Sequence, residues 1–369
     1  MLLPWRPLLP PRPAIFSFAR KSPLKIPLSP GPLIPQRDLV DEEICPDYNS
    51  ATFYPANPGQ VLARRFQLLV KIGWGSQSTV WLAQDISSNN ADDALHELEI
   101  ERHIAQQNPE HRGHVILRTC LDHFEVKGPE GRHMCLVYEV MREPVWIFKR
   151  RFVDREIPLP LAKAYIYFLL AGLDYLHSEC KVVHTDLKLG NILMSFENAK
   201  VLSEFVKCQE PMQRKIDGHT GRTVYRCHND FGPLSAKELK NMVPKIADFG
   251  LAASLGKQST HNGMVGEQFG VYPIQPDHYR APEVILGCGW DCKADIWNFG
   301  VLLWNFLGNQ ELFQQVLNTK GQYDAKSHLA EMVALLGPPP KALLAKSKAI
   351  GPFFNEEGWS EASVVRQLY

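Results

Sequence analysis

A polar loop that follows a long apolar helix constrains this sequence more than any other feature. Residues 160–177 carry leucine and isoleucine at helical spacing, which predicts a helix. The loop at 184–191 then places a carboxylate, a cation and an amide at Asp186, Lys188 and Asn191. These groups suit phosphoryl transfer, because the carboxylate can orient a hydroxyl proton, the cation can neutralise phosphate and the amide can hold a metal ion. The alternative is an ordinary polar loop behind a helix.

A glycine turn lies nearer the amino terminus, at residues 73–80 (Gly-Trp-Gly-Ser-Gln-Ser-Thr-Val). It connects two β-rich runs, 66–72 and 78–84. Glycine lets the backbone approach a ligand closely, so amide N–H groups can lie over a phosphate chain. A dinucleotide-binding fold requires such a turn to open into a helix. Here the turn opens into the strand-like residues 79–82, which excludes that fold and leaves phosphate binding or a plain hairpin turn.

Two further carboxylates stand next to predicted elements in the second half of the chain. Asp248 begins an Asp-Phe-Gly sequence after the short β run 245–247, where its oxygens can bind Mg²⁺ and the glycine lets the chain turn. Asp295 lies near the start of a helix predicted over 294–307, whose apolar composition indicates a buried helix. The helix dipole stabilises a carboxylate there, so Asp295 can brace the backbone of a neighbouring loop. A simple N-terminal carboxylate is the alternative for Asp295.

Composition narrows the class of protein. The chain has 369 residues with 40 Lys and Arg against 40 Asp and Glu, so no net positive field exists to gather nucleic-acid phosphates. The length predicts two domains or one two-lobed unit. No apolar run reaches the roughly 18–20 residues that span a bilayer, so we expect no membrane segment. The eight cysteines form no C-x-x-C pair, which favours a reducing compartment over a disulfide framework.

The amino-terminal residues 1–37 form a separate segment that is rich in proline and leucine and has no acidic residue. Such a composition permits a mitochondrial presequence, but the prolines would break the amphipathic helix that this signal requires. We therefore expect a disordered leader, with mitochondrial targeting as the alternative. Residues 38–64 form a lead-in, and 195–243 interrupt the regular patterns as an insertion. Between them, a helix is predicted over 92–105 and a strand over 134–140.

Taken in this order, the motifs resemble those of protein kinases, and the resemblance covers roughly residues 65–350. Within that superfamily the chain is most similar to the serine/arginine-rich-protein kinase family and its fungal relatives. His-Thr-Asp at 184–186 replaces His-Arg-Asp, Gly-Trp-Gly at 73–75 precedes Ser-Thr-Val-Trp, and the insertion falls where that family carries a spacer. The resemblance implies an α+β, two-lobed protein-kinase-like fold with a small β-rich N-lobe at 65–141 and a mainly helical C-lobe at 142–369.

The resemblance also implies roles for the polar residues of the second half. Asp186 resembles the catalytic base and Lys188 the partner of the transferred phosphate. Asn191 and Asp248 resemble the ligands of Mg²⁺. Thr185 replaces the arginine that usually binds an activation-loop phosphate, so the resemblance implies activity without loop phosphorylation.

The nucleotide contacts implied by the resemblance come from separate segments. Glu139 and Met141 resemble the hinge whose backbone meets adenine, and Tyr138 resembles the gatekeeper beside it. Glu97 resembles the helix glutamate that pairs with a nucleotide-binding lysine, with Glu99 as the alternative. The full set of implied ATP-binding residues is Ile72, Gly73, Trp74, Gly75, Val80, Glu97, Glu139 and Met141.

The chain departs from the kinase pattern at three places. No lysine lies between Lys71 and Lys127, and about a dozen residues that would form the third N-lobe strand with its lysine are absent. Pro276 stands where kinases carry a threonine that contacts the catalytic aspartate and lysine. The family's last helices, with the arginine that pairs with Glu283, have no counterpart before Tyr369.

Two functions follow as expectations. The resemblance implies a serine/threonine protein kinase that transfers the γ-phosphate of ATP, with Mg²⁺, to a protein substrate of the Arg/Ser-rich splicing type. The absent lysine leaves as the alternative a pseudokinase or incomplete gene product that acts as a nucleotide- or protein-binding module. We expect a monomer in the cytoplasm or nucleus, with the mitochondrion as the alternative, and no direct contact with nucleic acid or membrane.

Overall fold

The chain divides into two compact units. The computed structural model describes residues 22–26, 31–86, 96–255, 270 and 272–347. Within these, the strand-rich unit comprises residues up to 92 together with 124–135 and 208–230, and the helical unit comprises 93–123, 136–207 and 231 onwards. This division into a smaller β-rich part and a larger helical part confirms the expected α+β class.

The described strands and α-helices lie between Val61 and Leu344. The strands are β1 Val61–Leu62, β2 Phe66–Trp74, β3 Thr79–Asp85, β4 Asp122–Lys127, β5 Arg132–Val137, β6 Glu143–Pro144, β7 Val182–Val183, β8 Ile192–Met194, β9 Arg214–Ile216, β10 Thr223–Tyr225, β11 Pro244–Ile246 and β12 Ala253–Ser254. The helices are α1 His96–Gln106, α2 Val145–Phe148, α3 Leu159–Asp174, α4 Ala199–Lys207, α5 Pro282–Ile285, α6 Lys293–Leu307, α7 Ala325–Leu336 and α8 Lys341–Leu344. The sheets have the strand orders β1-β2-β3, β4-β5, β10-β9, β11-β8-β6 and β12-β7.

The hairpin of β2 and β3 forms the centre of the strand-rich unit. The two strands pair antiparallel from Phe66 opposite Asp85 up to the glycine turn, and β1 pairs with the outer side of β2. Leu62 and Leu68 bury their side chains together, with Phe124 packed against them. Both predicted β runs around the glycine turn are confirmed, because apolar and β-branched residues dominate each of them.

Part of the leader belongs to this unit, which corrects the expectation of disorder. Ile34 donates its N–H to the Arg214 carbonyl at 2.8 Å, and its side chain is buried with Val40 and Val224. The expectation is therefore wrong for residues 31–37, because the apolar partner of Ile34 comes from the insertion, far along the sequence. For the parts of the leader that lie outside the described residues, disorder stays a prediction.

A buried lysine joins three segments of the strand-rich unit. Lys71 on β2 is 1% exposed, and its ammonium lies 3.1 Å from the Asp41 carboxylate, contacts Glu42 and donates to the Tyr225 carbonyl at 2.8 Å. A buried ammonium requires such partners to offset its lost hydration. The lead-in and the insertion thus hold the strand that precedes the glycine turn. Residues 208–230 of the insertion group with the strand-rich unit by their contacts, whereas the resemblance implies that the whole insertion lies in the C-lobe.

Helices α3 and α6 form the centre of the helical unit. Leu169 and Leu173 of α3 and Phe299 and Leu302 of α6 lie in one buried apolar cluster. The helices predicted over 160–177 and 294–307 are thereby confirmed, with α3 continuing into a π-helical turn at its carboxyl end. Buried elements therefore fix both ends of the loop that follows α3, between β7 and β8.

Helix α6 is buried on one side only, which corrects the expectation drawn from its composition. Ile296, Trp304 and Leu307 are each about half exposed. A helix with apolar residues all round is fully buried only where other elements cover every face. The described elements of the helical unit cover one face of α6.

Helix α1 packs with the helical unit. Its Ile104 is 1% exposed and joins the main apolar cluster, and the Tyr175 hydroxyl donates to the Ile104 carbonyl at 2.6 Å. Its contacts group this helix with the larger unit, and the lobe boundary at 141 stays a prediction. The expected absence of the third strand falls on 87–95, which lie outside the described residues.

One helical stretch of the described chain, Val153–Glu179, is long and apolar enough to cross a membrane by length and composition alone. It contains α3, whose Ala162, Tyr165 and Leu169 are buried in the main apolar cluster. A core helix passes the same test. The burial of these side chains therefore supports a core helix.

Candidate active site

The loop between β7 and β8 brings together three polar side chains that the sequence selects. The Lys188 ammonium lies 3.0 and 2.8 Å from the two carboxylate oxygens of Asp186. Asn191 donates its amide N–H groups to the carbonyl and the carboxylate of Asp186, at 2.9 and 2.8 Å. The Asp186 carboxylate is thereby held between a cation and an amide. A carboxylate oriented in this way can accept a proton while the neighbouring cation offsets negative charge.

Asp295, in the first turn of α6, fixes the start of this loop. It is 0% exposed, and its carboxylate accepts the backbone N–H of His184 at 2.7 Å and that of Thr185 at 2.9 Å. The Nε2 atom of His177 lies 2.8 Å from the same carboxylate. A buried carboxylate needs partners of this kind. The predicted bracing role of Asp295 is confirmed.

Thr185 adopts a backbone conformation that β-branched residues rarely take. Its φ of 67° lies in the left-handed region, where a side chain crowds the backbone. The Thr185 hydroxyl donates to the Leu251 carbonyl at 2.7 Å, and its N–H is held by Asp295. Such strain persists only where several contacts determine the conformation. These contacts join the loop to the segment that follows Gly250.

The pairing of β8 with β11 places Asp248 beside the loop. Ala247 donates its N–H to the Asn191 carbonyl at 2.9 Å, and the Nε2 atom of His184 lies 3.1 Å from the Ala247 carbonyl. Asp248 follows directly, with an exposed side chain and a φ of 70°, and Phe249 after it is fully buried. The turn therefore separates an exposed carboxylate from a buried aromatic anchor.

The donor set at this place fits Mg²⁺. Asn191 uses its amide nitrogen for both contacts with Asp186, which leaves the amide oxygen for a cation. Asp248 adds an exposed carboxylate. Among the described residues, no group of three or more His, Cys, Asp and Glu is arranged to hold a metal ion. A site with one carboxylate and one amide oxygen suits Mg²⁺, which completes its shell with water and substrate phosphates.

The segment that resembles a hinge is held by contacts with residues of the helical unit. The Glu139 carboxylate contacts the Lys245 ammonium, and the Glu139 carbonyl accepts a hydrogen bond from Arg118 Nε at 2.9 Å. The Arg118 guanidinium lies 4.5 Å from the centre of the Tyr138 ring. Met141 is buried. Cations thus bind both the side-chain carboxylate and the backbone carbonyl of Glu139.

Glu101 is a buried acid that the sequence pattern does not select. It is 1% exposed, and its carboxylate accepts hydrogen bonds from the Tyr138 hydroxyl at 3.0 Å and from the backbone N–H of Cys120. The available signal is its position three residues before the buried Ile104, on the same face of α1. Of the two glutamates selected instead, Glu99 is exposed, and the side chain of Glu97 lies outside the described residues.

The glycine turn of the strand-rich unit is a β-hairpin, as predicted. Gly73 pairs with Val80, and Gly75 donates its N–H to the Ser78 carbonyl at 2.8 Å. The Val80 side chain is about half exposed. Three other implied ATP-binding residues lie at the carboxyl end of β2 and are partly buried: Ile72, Gly73 and Trp74.

Gln275, which the sequence pattern also does not select, fastens the segment before α5 to α6. Its amide nitrogen donates to the Ala294 carbonyl at 2.9 Å and to the Asn298 side chain at 2.7 Å, and its amide oxygen accepts from the Ala281 N–H at 2.7 Å. Gln275 is buried, with a φ of 74°. Pro276 follows it and offers no hydroxyl, so this segment is positioned by the glutamine.

Glu283 on α5 is a half-buried carboxyl group. Burial raises the pKa of Glu283, and the nearby Asp291 raises it further, while Lys293 opposes both effects. Within the part of the chain that the structure describes, no ion pair involves Glu283. A hydrogen bond from its own backbone and the charge of Lys293 compensate its ionised form only in part, so the pKa stays raised.

Comparison with known proteins agrees with these motifs. Residues 66–350 match the family described as the protein kinase domain. A serine/threonine protein kinase of Aspergillus fumigatus is 32% identical over 359 residues, which cover 94% of this chain and 84% of the relative. The serine/threonine-protein kinase SRPK of Physarum polycephalum is 29% identical over 366 residues, covering 90% and 80% of the two chains. SRSF protein kinase 3 of Mus musculus is 30% identical over 194 residues, covering 47% and 34%.

Proposed function

Because the chain belongs to the protein kinase family, we propose that it transfers the γ-phosphate of ATP to a serine or threonine hydroxyl of a protein. One observation carries this proposal: Asp186 is held by Lys188 and Asn191 in a loop that the buried Asp295 braces. Protein kinases use ATP with Mg²⁺. The exposed Asp248 beside this loop adds the carboxylate that such a reaction requires.

Each polar residue has a task in the proposed reaction. The substrate hydroxyl oxygen forms a bond to the γ-phosphorus while the bond from that phosphorus to the β-phosphate oxygen breaks. Asp186 orients the hydroxyl and takes its proton, and Lys188 neutralises the phosphate in transfer. Asn191 and Asp248 would hold Mg²⁺, which supplies positive charge to the phosphates when bound.

The proposed substrates are proteins with Arg/Ser-rich segments. Support comes from the similarity to relatives named SRPK and SRSF protein kinase 3. Thr185 is held in the loop by Asp295 and Leu251, so the proposed activity needs no phosphate on another segment. A peptide of alternating arginine and serine is therefore the first substrate to test.

A binding module that transfers no phosphate is the second candidate. The observation that favours it is the absence of any lysine between Lys71 and Lys127 in the sequence. A lysine–phosphate contact contributes about 1.5–3 kcal/mol. Its loss predicts a roughly ten- to hundredfold slower reaction. As a binding module, the chain binds MgATP or a protein and transfers no phosphate.

Phosphorylation of the Arg/Ser peptide by the purified chain, with MgATP at saturation, tests the proposal. Asp186→Ala should abolish transfer, because Asp186 is the carboxylate that orients the hydroxyl and takes its proton. Asp154→Asn, an exposed change in the same unit, is the matched control and should leave transfer unchanged. If the wild type binds MgATP and yet transfers no more phosphate than Asp186→Ala, the transferase proposal is wrong and the binding module stands.

A further inference from the structure

A small pocket in the strand-rich unit is lined by the lead-in, by the hairpin of β2 and β3, and by the insertion. We propose that this pocket binds the guanidinium group of an arginine in the protein substrate. The inference rests on the proposed function, because it names a second contact for the Arg/Ser-rich substrates of the same reaction. The pocket and the loop of Asp186 belong to different units, so the two can be tested separately.

Aromatic side chains form much of the wall of this pocket. They are Tyr48, Phe53, Tyr54, Trp81 and Tyr225. The centres of the Tyr48 and Phe53 rings lie 5.5 Å apart, and those of the Trp81 and Tyr225 rings lie 5.7 Å apart. The face of an aromatic ring attracts a cation, and the planar guanidinium of arginine also stacks on such a face. The walls therefore suit a planar cation.

The size of the pocket fits the head of one side chain. Its cavity volume is about 30 Å³, which is room for roughly two to three water-sized groups. A guanidinium is a compact planar group in which one carbon carries the nitrogens. The pocket is open to solvent, so such a head can enter from another protein while its backbone stays outside.

The two cations that line the pocket are already paired within the strand-rich unit. The Lys71 ammonium lies 3.1 Å from the Asp41 carboxylate and contacts Glu42. The Arg222 guanidinium contacts the Glu130 carboxylate. Both positive charges are thus compensated by carboxylates of the same chain. Neither cation requires an anionic ligand.

The groups that remain for a ligand are hydrogen-bond acceptors. The Glu42 carboxylate contacts Lys71 through Oε2, and within the described residues its Oε1 accepts no hydrogen bond. The Tyr48 hydroxyl likewise makes no hydrogen bond in the part of the chain that the structure describes. Burial raises the pKa of Tyr48, and the neighbouring carboxylates raise it further against the opposing effect of Arg222. Negative charge therefore prevails at this hydroxyl, and a cation with N–H donors satisfies both acceptors.

Binding of a fluorescent peptide of alternating arginine and serine to the full chain, measured by anisotropy, tests the inference. Tyr48→Leu removes the ring and the hydroxyl, and Tyr48→Phe removes the hydroxyl alone, for the case that the first variant does not fold. We expect the peptide to bind about tenfold more weakly to Tyr48→Leu and about threefold more weakly to Tyr48→Phe. Tyr167→Leu is the matched control and should bind like the wild type, since Tyr167 is an exposed tyrosine of the helical unit that already holds Arg112.

Phosphorylation of the same peptide, measured in parallel, separates this inference from the proposed function. Equal affinity of the wild type and both Tyr48 variants overturns the pocket, while transfer by the wild type leaves the proposed function standing. If the wild type transfers no phosphate at saturating peptide and MgATP, the proposed function fails, and weaker binding by the Tyr48 variants still supports the pocket. A peptide with lysine in place of arginine identifies the ligand, because an equal loss of affinity for it would overturn the choice of arginine.

Discussion

The backbone N–H of Thr185 donates to the buried carboxylate of Asp295 at 2.9 Å, and Thr185 holds a φ of 67° while it does so. The two residues lie on different elements, one in the loop after β7 and one in the first turn of α6. The loop that carries Asp186 therefore has a strained backbone that a charged group of the helix core stabilises. Its geometry depends on Asp295 as much as on its own residues.

Asp295→Asn should destabilise the helical unit and slow phosphate transfer. One carboxylate oxygen faces the His184 N–H and His177, and the other faces the Thr185 N–H, so an amide leaves at least one donor without an acceptor. An unsatisfied buried donor costs about 1–3 kcal/mol. We expect a loss of about 2 kcal/mol in the free energy of unfolding, measured by urea denaturation. Asp154→Asn serves as the control, and equal stability of Asp295→Asn and the wild type would contradict the bracing role.

Asp248→Asn should weaken the binding of ATP in the presence of Mg²⁺ and leave the fold intact. The side chain is exposed, so the change keeps its shape and removes only the charge that a hard cation prefers. Calorimetric titration with and without Mg²⁺ measures the effect. We expect about a tenfold loss of affinity with Mg²⁺ and none without it. The same affinity for MgATP in both proteins would remove Asp248 from the metal site.

Glu283→Gln should stabilise the protein at neutral and alkaline pH. Burial raises the pKa of Glu283 in the folded state, so ionisation of this group destabilises the fold as the pH rises through that pKa. Glutamine removes the charge. We expect the Tm at pH 8 to rise by about 1–2 °C, the shift that about 1 kcal/mol gives in a protein of this size.

The pH dependence identifies the cause of that shift. The gain from Glu283→Gln should shrink towards pH 4, where the glutamate is itself protonated. Thermal unfolding at both pH values measures it, with the exposed Glu110→Gln as the control. A gain of equal size at pH 4 and pH 8 would show that the effect does not come from ionisation.

Insertion of a Val-Ala-Leu-Lys strand with a turn between Ile86 and Ala91 should raise phosphorylation of the Arg/Ser peptide. The insertion supplies the lysine that the sequence lacks between Lys71 and Lys127. A restored lysine–phosphate contact predicts a roughly ten- to hundredfold faster reaction. The same insertion with Asp186→Ala is the control. A repaired chain that folds, binds ATP and transfers no more phosphate than this control would favour the binding module.

Local patterns in the sequence determined the elements that carry the candidate site. The β2–β3 hairpin and the helices α3 and α6 follow from alternation and from helical spacing, which are visible within a few neighbouring residues. The place of Asp295 in the first turn of α6 follows in the same way, whereas its hydrogen bond to the distant Thr185 is seen only in the structure. These predictions succeed because each depends on residues that are close in the sequence.

Only the tertiary structure decided where several charged groups lie. Lys71 and Arg118 have no local pattern that separates them from ordinary surface charges, and Glu101 has only its place on the same face of α1 as Ile104. Their partners come from distant segments: Asp41, Glu42 and Tyr225 for Lys71, Cys120 and Tyr138 for Glu101, and Tyr138 and Glu139 for Arg118. A charge is stable away from water only when opposite charges or hydrogen-bonding groups surround it. Those groups meet only after the chain has folded, so no stretch of sequence contains them together.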